Sequence, residues 1–231
     1  ERRALAVTVH CVEGDAPRAP EPRFFTTMRR ARRTRVLAQE QAAGIEGSSA
    51  LFNSVMGRSA ADLAMLNTDT PHGPYPYAGV PWFSTAFGRD GLITALETLW
   101  LDPSVARGVL RFLAFHQGDR EDAAADMEPG KVLHELRECE LARLGEVPFA
   151  RYYGSIDSTP LFIALAGLYW ERTRDRETAQ AVWPNVKAGL DWIARYGDRD
   201  RDGFVEYGRR RESGLRNQGW KDSEDSVMHA D

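Results

Sequence analysis

The helical segments of this sequence are joined alternately by very short and by long connections. Apolar residues recur at three- and four-residue spacing in five stretches, which predicts helices at about 50–67, 90–101, 104–117, 159–173 and 177–196. The links at 101–104 and 173–177 are short enough for helical hairpins. The remaining links are long and rich in Gly, Pro and aromatic residues, and they cover 68–89, 118–157 and 197–225.

This alternation constrains the architecture. Because successive helices run antiparallel, all the long connections emerge at the same end of the helical layer. The stretch from Thr159 to Trp170 carries no charge and is predicted to be buried, whereas 177–196 is amphipathic and is predicted to cover it from outside. The pattern therefore predicts an all-α toroid of inner and outer helices with a functional face at one rim.

The first 24 residues differ from the rest. The stretch "LAVTVHCV" alternates like a strand, and the loop "EGDAPRAPEPR" that follows contains three prolines. A lone strand has no sheet to join here, so we predict that 1–24 ends a β-rich domain lying upstream. A charged helix at about 25–44 then opens a second region, 25–231, which is predicted to supply the first half of the toroid.

Composition excludes several classes of function. The balance of 30 basic and 34 acidic residues gives a net charge of −4, which argues against a nucleic-acid partner, and the basic cluster from Met28 to Arg35 is interpreted as a solvated helix face. Cys11 and Cys139 are too few and too far apart to indicate a metal site or a disulfide framework. No apolar run approaches the roughly 20 residues that span a bilayer. We expect a cytoplasmic protein with no membrane partner.

Three of the long links carry polar and aromatic residues to the start of a following helix. The aromatic faces suit the C–H faces of a sugar ring, and carboxylates and Arg suit its hydroxyl groups. Two simpler interpretations stay open: Asp90 and Asp157 stand where helix N-caps stand, and Trp82 is a candidate core residue. The predicted sugar-binding residues are Trp82, Phe83, Arg89, Asp90, Asp157, Trp220 and Lys221.

These links carry a resemblance to a known family. "AGVPWFSTAFGRD" resembles the substrate loop of amylo-α-1,6-glucosidases, the glucosidase part of glycogen debranching enzymes. "YYGSIDSTPLF" and "NQGWKDS" are similar to two further segments of that family, in the same order. The resemblance implies an (α/α)6 barrel related to glucoamylase and trehalase, and an inverting hydrolase of α-glucosidic bonds in glycogen-like glucans. Whether α-1,6 or α-1,4 linkages are preferred stays open.

The resemblance also implies roles for particular residues. Asp222 matches the general acid, with Glu224 and Asp225 as rivals, and Trp220 would wall the site. Arg89 and Asp90 match residues that hold the terminal glucose, and Asp157 matches a further rim position. The family places the catalytic base in the other half of the barrel, so this chain alone is expected to be inactive without that half and the β-rich domain.

Other interpretations stay open. Asp198, Asp200 and Asp202 begin a possible calcium loop, but Arg209 stands where an EF-hand needs Glu, so a turn into a short hairpin is favoured and no cofactor is predicted. His134 and Glu135 lack a second His at metal-ligand spacing and are interpreted as loop or rim residues. A non-catalytic glucan-binding protein, another α-glucosidase and a sugar epimerase remain alternatives.

Overall fold

The computed structural model describes residues 24–41, 43–146 and 150–222. The chain divides into two compact units, residues 1–64 and 65–231. The predicted N-terminal strand and the rival acids Glu224 and Asp225 lie outside the described residues. The described part is about half helical, with small sheets, which agrees with a mostly helical class; the toroid stays a prediction. No helix in this part is long and apolar enough to cross a membrane.

The first unit contributes two helices, α1 (Phe24–Gln41) and α2 (Ala50–Leu66). The side chain of Asn53 accepts from the amide of Gly47 and donates to its carbonyl, which fixes the turn before α2. The extent of α2 agrees with the predicted 50–67. None of its residues is buried, and the apolar side chains of Leu51, Phe52 and Val55 are exposed, so its apolar spacing is not used for a core in this structure.

The described residues of the second unit form five further α-helices. Asp102 caps α4 by accepting from the amide of Ser104 at 2.9 Å, and Asp175 caps α7 by accepting from Thr178 at 3.1 Å. The four long helices fall within a few residues of the predicted positions. The bounds are α3 Gly88–Glu97, α4 Pro103–Phe115, α5 Glu140–Arg143, α6 Ser158–Thr173 and α7 Arg176–Trp192, with a π-helical turn Ile193–Gly197 extending α7.

Two small antiparallel sheets connect these helices. One is a hairpin of β1 (Asn67–Thr70) and β2 (Gly73–Pro76). The other has the order β3 (Ala86–Phe87), β4 (Glu135–Leu136), β5 (Arg151–Tyr152). The strands of the second sheet come from two of the long links, so this sheet holds the two links together at the start of α3.

The core lies between the helices of the second unit. α3 contacts α4, α6 contacts α7, and the two pairs also contact each other through α3–α6, α4–α6 and α4–α7. β2 packs closely on α4. A Cβ at position 108 would overlap the carbonyl oxygen of Pro74, so this packing requires the glycine that stands there. The buried apolar side chains include Leu92, Val109, Leu113, Phe162 and Leu165.

Two sequence-based expectations about local structure are wrong. α6 was expected to be buried all round, but α3, α4 and α7 cover only one face, with Phe162, Leu165 and Tyr169 buried, while Leu168 and Trp170 are exposed. The short hairpin expected after Asp198 is not formed; residues 198–208 are bends and irregular backbone.

Candidate functional site

Arg89 forms the centre of the candidate site. It lies in the first turn of α3 and is only 6% exposed. Its Nη1 donates to Oδ2 of Asp157 at 3.0 Å, and its Nη2 donates to Oδ2 of Asp222 at 2.6 Å. Nη1 also donates to the carbonyl oxygen of Gly219. The structure therefore brings Arg89, Asp157 and Asp222 together from three long links, as the sequence predicted. These three side chains make up the Arg89 cluster.

Contacts of the backbone at the start of α3 fix the position of Arg89. Phe87, the last residue of β3, is the N-cap position of α3, so the strand leads directly into the helix. The amide of Gly88 donates to the carbonyl oxygen of His134 at 2.8 Å. A Cβ at Gly88 would overlap the carbonyl oxygen of Leu133, so the close approach of the β4 segment requires glycine here.

Neither carboxylate makes the capping bond that the N-cap interpretation requires, although Asp157 does stand at an N-cap position. Asp157 occupies the N-cap position of α6, but its side chain makes no capping bond; instead it accepts from Ser155 Oγ at 2.6 Å and from Arg89. Asp90 lies one position after Arg89 inside α3, whose N-cap residue is Phe87. Asp157 therefore faces Arg89, and Asp90 is exposed, so a ligand can reach its carboxylate.

Two carboxyl groups that feel the charge of Asp222, those of Asp90 and Glu135, have raised pKa values. Lost solvation raises the pKa of Asp90; Arg89 opposes this shift, and the charges of Asp222 and Asp157 add to it. Burial likewise raises the pKa of Glu135, against the effect of Arg137, with which it forms an ion pair. A carboxyl with a raised pKa keeps its proton to a higher pH.

His134 belongs to the site, although the sequence indicated only a loop or rim residue. It is 2% exposed, and its Nε2 lies 3.7 Å from Oδ2 of Asp222. Burial, and secondarily the charge of Arg89, lower its pKa to about 4. Its Nδ1 is buried without a hydrogen-bond partner among the described residues. A neutral imidazole thus closes the inner side of the site, and no spacing pattern in the sequence signals it.

We expect His134 to make the protein less stable as the pH falls. The imidazole takes up a proton near pH 6.5 in the unfolded chain but only near pH 4 in the folded protein, so acid favours unfolding between those values. The loss should be about 1 kcal/mol per pH unit in that window. Urea unfolding at several pH values should show a steeper loss for the parent than for His134→Asn; parallel curves would contradict this assignment.

One exposed aromatic side chain, that of Trp220, borders the cluster, and two more belong to the link that precedes α3. Trp220 is 71% exposed, and its ring centre lies 5.9 Å from Cζ of Arg89. Trp82 is 79% exposed and Phe83 is also exposed, so the interpretation of Trp82 as a core residue is wrong. The backbone oxygen of Trp82 accepts from Arg137 at 3.4 Å. Exposed ring faces beside charged groups provide the kind of surface on which a sugar ring can stack.

Lys221, also named from the sequence, is exposed beside Trp220. The possible calcium loop, for which a turn was the favoured interpretation, forms local Asp turns in this structure. Carboxylate oxygens of Asp198, Asp200 and Asp202 lie within 4.8 Å of one another. Asp200 accepts from the amide of Asp202, and Asp202 accepts from that of Phe204, as in ordinary Asp turns.

A second polar group, centred on the buried Glu128, was missed by sequence reasoning. Glu128 accepts from Trp192 Nε1 at 2.7 Å and from Arg210 Nη2 at 2.7 Å, and Lys131 lies beside it. Trp192 and Arg210 are more than 60 residues from Glu128 in the chain. Such pairs leave no periodic signal, and single acidic residues in a loop are too common to indicate them.

A scan against protein-family models and a search of curated proteins found no match to this chain. The functional argument therefore depends on the residues of the site and on their geometry.

Proposed function

We propose that this chain carries the acid half of an inverting glycoside hydrolase that cleaves α-glucosidic bonds, α-1,6 bonds among them, in glycogen-like glucans. The observation that carries the proposal is the Arg89 cluster. Three segments far apart in sequence meet there, each with a carboxylate or arginine, and the exposed Trp220 borders it. The motif resemblance supports the same chemistry, since Asp222 matches the position of that family's general acid.

The geometry suggests how Asp222 would act. Arg89 occupies Oδ2, and His134 faces the same oxygen, so the proton to be transferred would be carried on Oδ1. Asp222 would give that proton to the glycosidic oxygen as the bond from this oxygen to C1 breaks, and the departing sugar would keep it. Inversion also needs water attacking C1 from the opposite face, activated by a base roughly 6.5–9.5 Å from the acid.

The other residues would hold the substrate. Asp90 and Asp157 offer carboxylate oxygens to glucose hydroxyls, while Trp220 and Trp82 offer ring faces to the sugar. In this proposal Arg89 fixes Asp157 and Asp222 relative to each other. Phe83 and Lys221, at the open edge, would contact sugar units beyond the first.

We also propose that the helices belong to an (α/α)6 toroid. Support comes from the contacts of the two hairpins. α3 contacts α6, and α4 contacts both α6 and α7, as expected if α3 and α6 are inner helices and α4 and α7 outer ones. The exposed side chains Leu168 and Trp170 on α6 lie outside the face that this arrangement covers.

The direct test is the anomeric configuration of the sugar released by the intact protein, which means this chain together with the proposed other half of the barrel and the β-rich domain. We expect hydrolysis of an isomalto-oligosaccharide, followed by proton NMR, to show β-glucose first, with the α-anomer appearing only by mutarotation. A parallel reaction with a malto-oligosaccharide gives the linkage preference. Release of α-glucose first would mean retention, and no release from either substrate would contradict the proposed function.

A non-catalytic α-glucan-binding protein is the second candidate. The ion pair of Asp222 with Arg89 favours it, because a carboxylate held in this way can serve structure and binding alone. In that case binding of the oligosaccharide would be measurable without any release of glucose.

A further inference from the structure

Asp126 lies in the link between α4 and β4, outside the Arg89 cluster, and is 2% exposed. Three donors converge on its carboxylate. Tyr152 Oη donates to Oδ2 at 2.6 Å, and the backbone amide of Arg210 donates to Oδ1 at 2.8 Å. Gln218 Nε2 donates to Oδ2 at 3.3 Å. Two of these partners belong to the segment that leads to Asp222, about 90 residues further along the chain.

Tyr152 extends this contact to the middle of the same segment. Its hydroxyl accepts from the amide of Leu215 at 2.8 Å while donating to Asp126. Burial and the bond to Asp126 raise the pKa of Tyr152, so the hydroxyl keeps its proton and acts as the donor. The fit is close, since a Cβ at Gly214 would lie 2.7 Å from Oδ2 of Asp126.

The segment 209–219 is held mainly by polar contacts. Its buried residues are Asn217 and Gln218, both polar, while residues 209–213 are exposed. At its far end the carbonyl oxygen of Gln218 accepts from the amide of Ile156 at 2.9 Å, and that of Gly219 accepts from Arg89. Apolar burial is therefore too small to fix this segment, and its position depends on these hydrogen bonds.

We propose that Asp126 is a positioning residue for Asp222. With Tyr152 it holds the segment 209–219 against the sheet, so that Trp220 and Asp222 arrive at Arg89 in a fixed orientation. The inference rests on the proposed function for its catalytic consequence. It adds to that function a residue that touches neither the sugar-binding side chains nor the Arg89 ion pairs and acts through Tyr152, Arg210 and Gln218.

The charge of Asp126 is essential to this role. All three partners donate, and a carboxylate offers two accepting oxygens, whereas the amide of Asn turns an N–H₂ group toward one of the donors. Asp126→Asn keeps the size of the side chain and should free the segment at one end. Tyr152→Phe keeps the ring and should remove the hydroxyl's bonds to Asp126 and Leu215.

The test combines hydrogen exchange with kinetics on the intact protein. We expect Asp126→Asn and Tyr152→Phe to speed amide exchange in 209–222 by at least about tenfold while exchange in α4 stays unchanged. On an isomalto-oligosaccharide, kcat should fall by about tenfold or more and KM by less than about threefold in either direction, because the acid is displaced while the sugar-binding side chains remain. Asp119→Asn, an exposed carboxylate of the same link paired with Arg120, is the matched control and should change neither.

The outcomes separate the two proposals. Unchanged exchange in 209–222 for both variants would overturn the role of Asp126, and so would faster exchange with unchanged kcat. A uniform rise in exchange that includes α4 would mean a general loss of stability and would also overturn it. If the parent protein releases no glucose, the proposed function fails, and the exchange comparison still decides whether Asp126 holds the segment.

Discussion

Replacing Asp222 by Asn is expected to lower kcat on an isomalto-oligosaccharide by about 10²–10⁴-fold, the usual contribution of a general acid. The amide can still accept from Arg89 through its oxygen, so the contact that now measures 2.6 Å has a substitute. It carries no proton for transfer to the glycosidic oxygen. Binding of the oligosaccharide, measured by calorimetry, should therefore survive while turnover is lost.

Two comparison variants sharpen this prediction. Glu224→Gln and Asp225→Asn remove the neighbouring rival carboxylates and should leave most of the activity. Activity of Asp222→Asn within about threefold of the parent would exclude it as the acid, given the size expected of such a group. A large loss in Glu224→Gln or Asp225→Asn alone would move the role to that residue.

The second large effect is expected for Arg89→Met. Removing this buried cation leaves Asp157, Asp222 and the Gly219 carbonyl without their shared donor, and two carboxylates then repel each other. Loss of one partner of a buried ion pair typically costs 3–5 kcal/mol; both carboxylates are partly exposed, so about 2–3 kcal/mol of unfolding free energy is expected here. We also expect kcat/KM to fall by about 10²-fold or more, since the acid is no longer oriented.

Arg89→Lys and Arg111→Met serve as controls for this experiment. Lysine keeps the charge but cannot reach both carboxylates with a planar fork, so its loss should be intermediate. Arg111 is exposed and lies 3.7 Å from an exposed Glu177, so its replacement should change neither stability nor activity. Chemical unfolding and steady-state kinetics on the three variants provide the comparison. An Arg89→Met protein as stable as the parent would contradict the central role of this residue.

The helices could be predicted because their signals are local. The N-cap Asp102 followed by Pro103, and the spacing of apolar residues in α3, α4, α6 and α7, are written in consecutive residues. The burial of α6 could not be predicted from its composition, since burial depends on which neighbours cover each face. The two-residue strands β3, β4 and β5 are too short to produce an alternating pattern.

The candidate site was predictable in part for a different reason. Arg89, Asp157 and Asp222 each lie at or near the end of a long link, so the alternation of long and short links was enough to predict that they meet. His134 and Asp126 were missed because their roles come from burial and from partners far along the chain. A histidine or aspartate in a loop has no neighbours in sequence that reveal this.

The ion pairs of Arg89 also bear on the order in which the chain folds. They join residues that are 68 and 133 positions apart, whereas the hairpins α3–α4 and α6–α7 close over a few residues. Closing long loops costs more entropy than closing short ones, so we expect the hairpins to form first and the charged cluster to assemble last. During synthesis, the helices would be in place before Gly219 and Asp222 emerge from the ribosome. Until then Arg89 would stay hydrated, so no unpaired cation would have to be buried while the hydrophobic core forms.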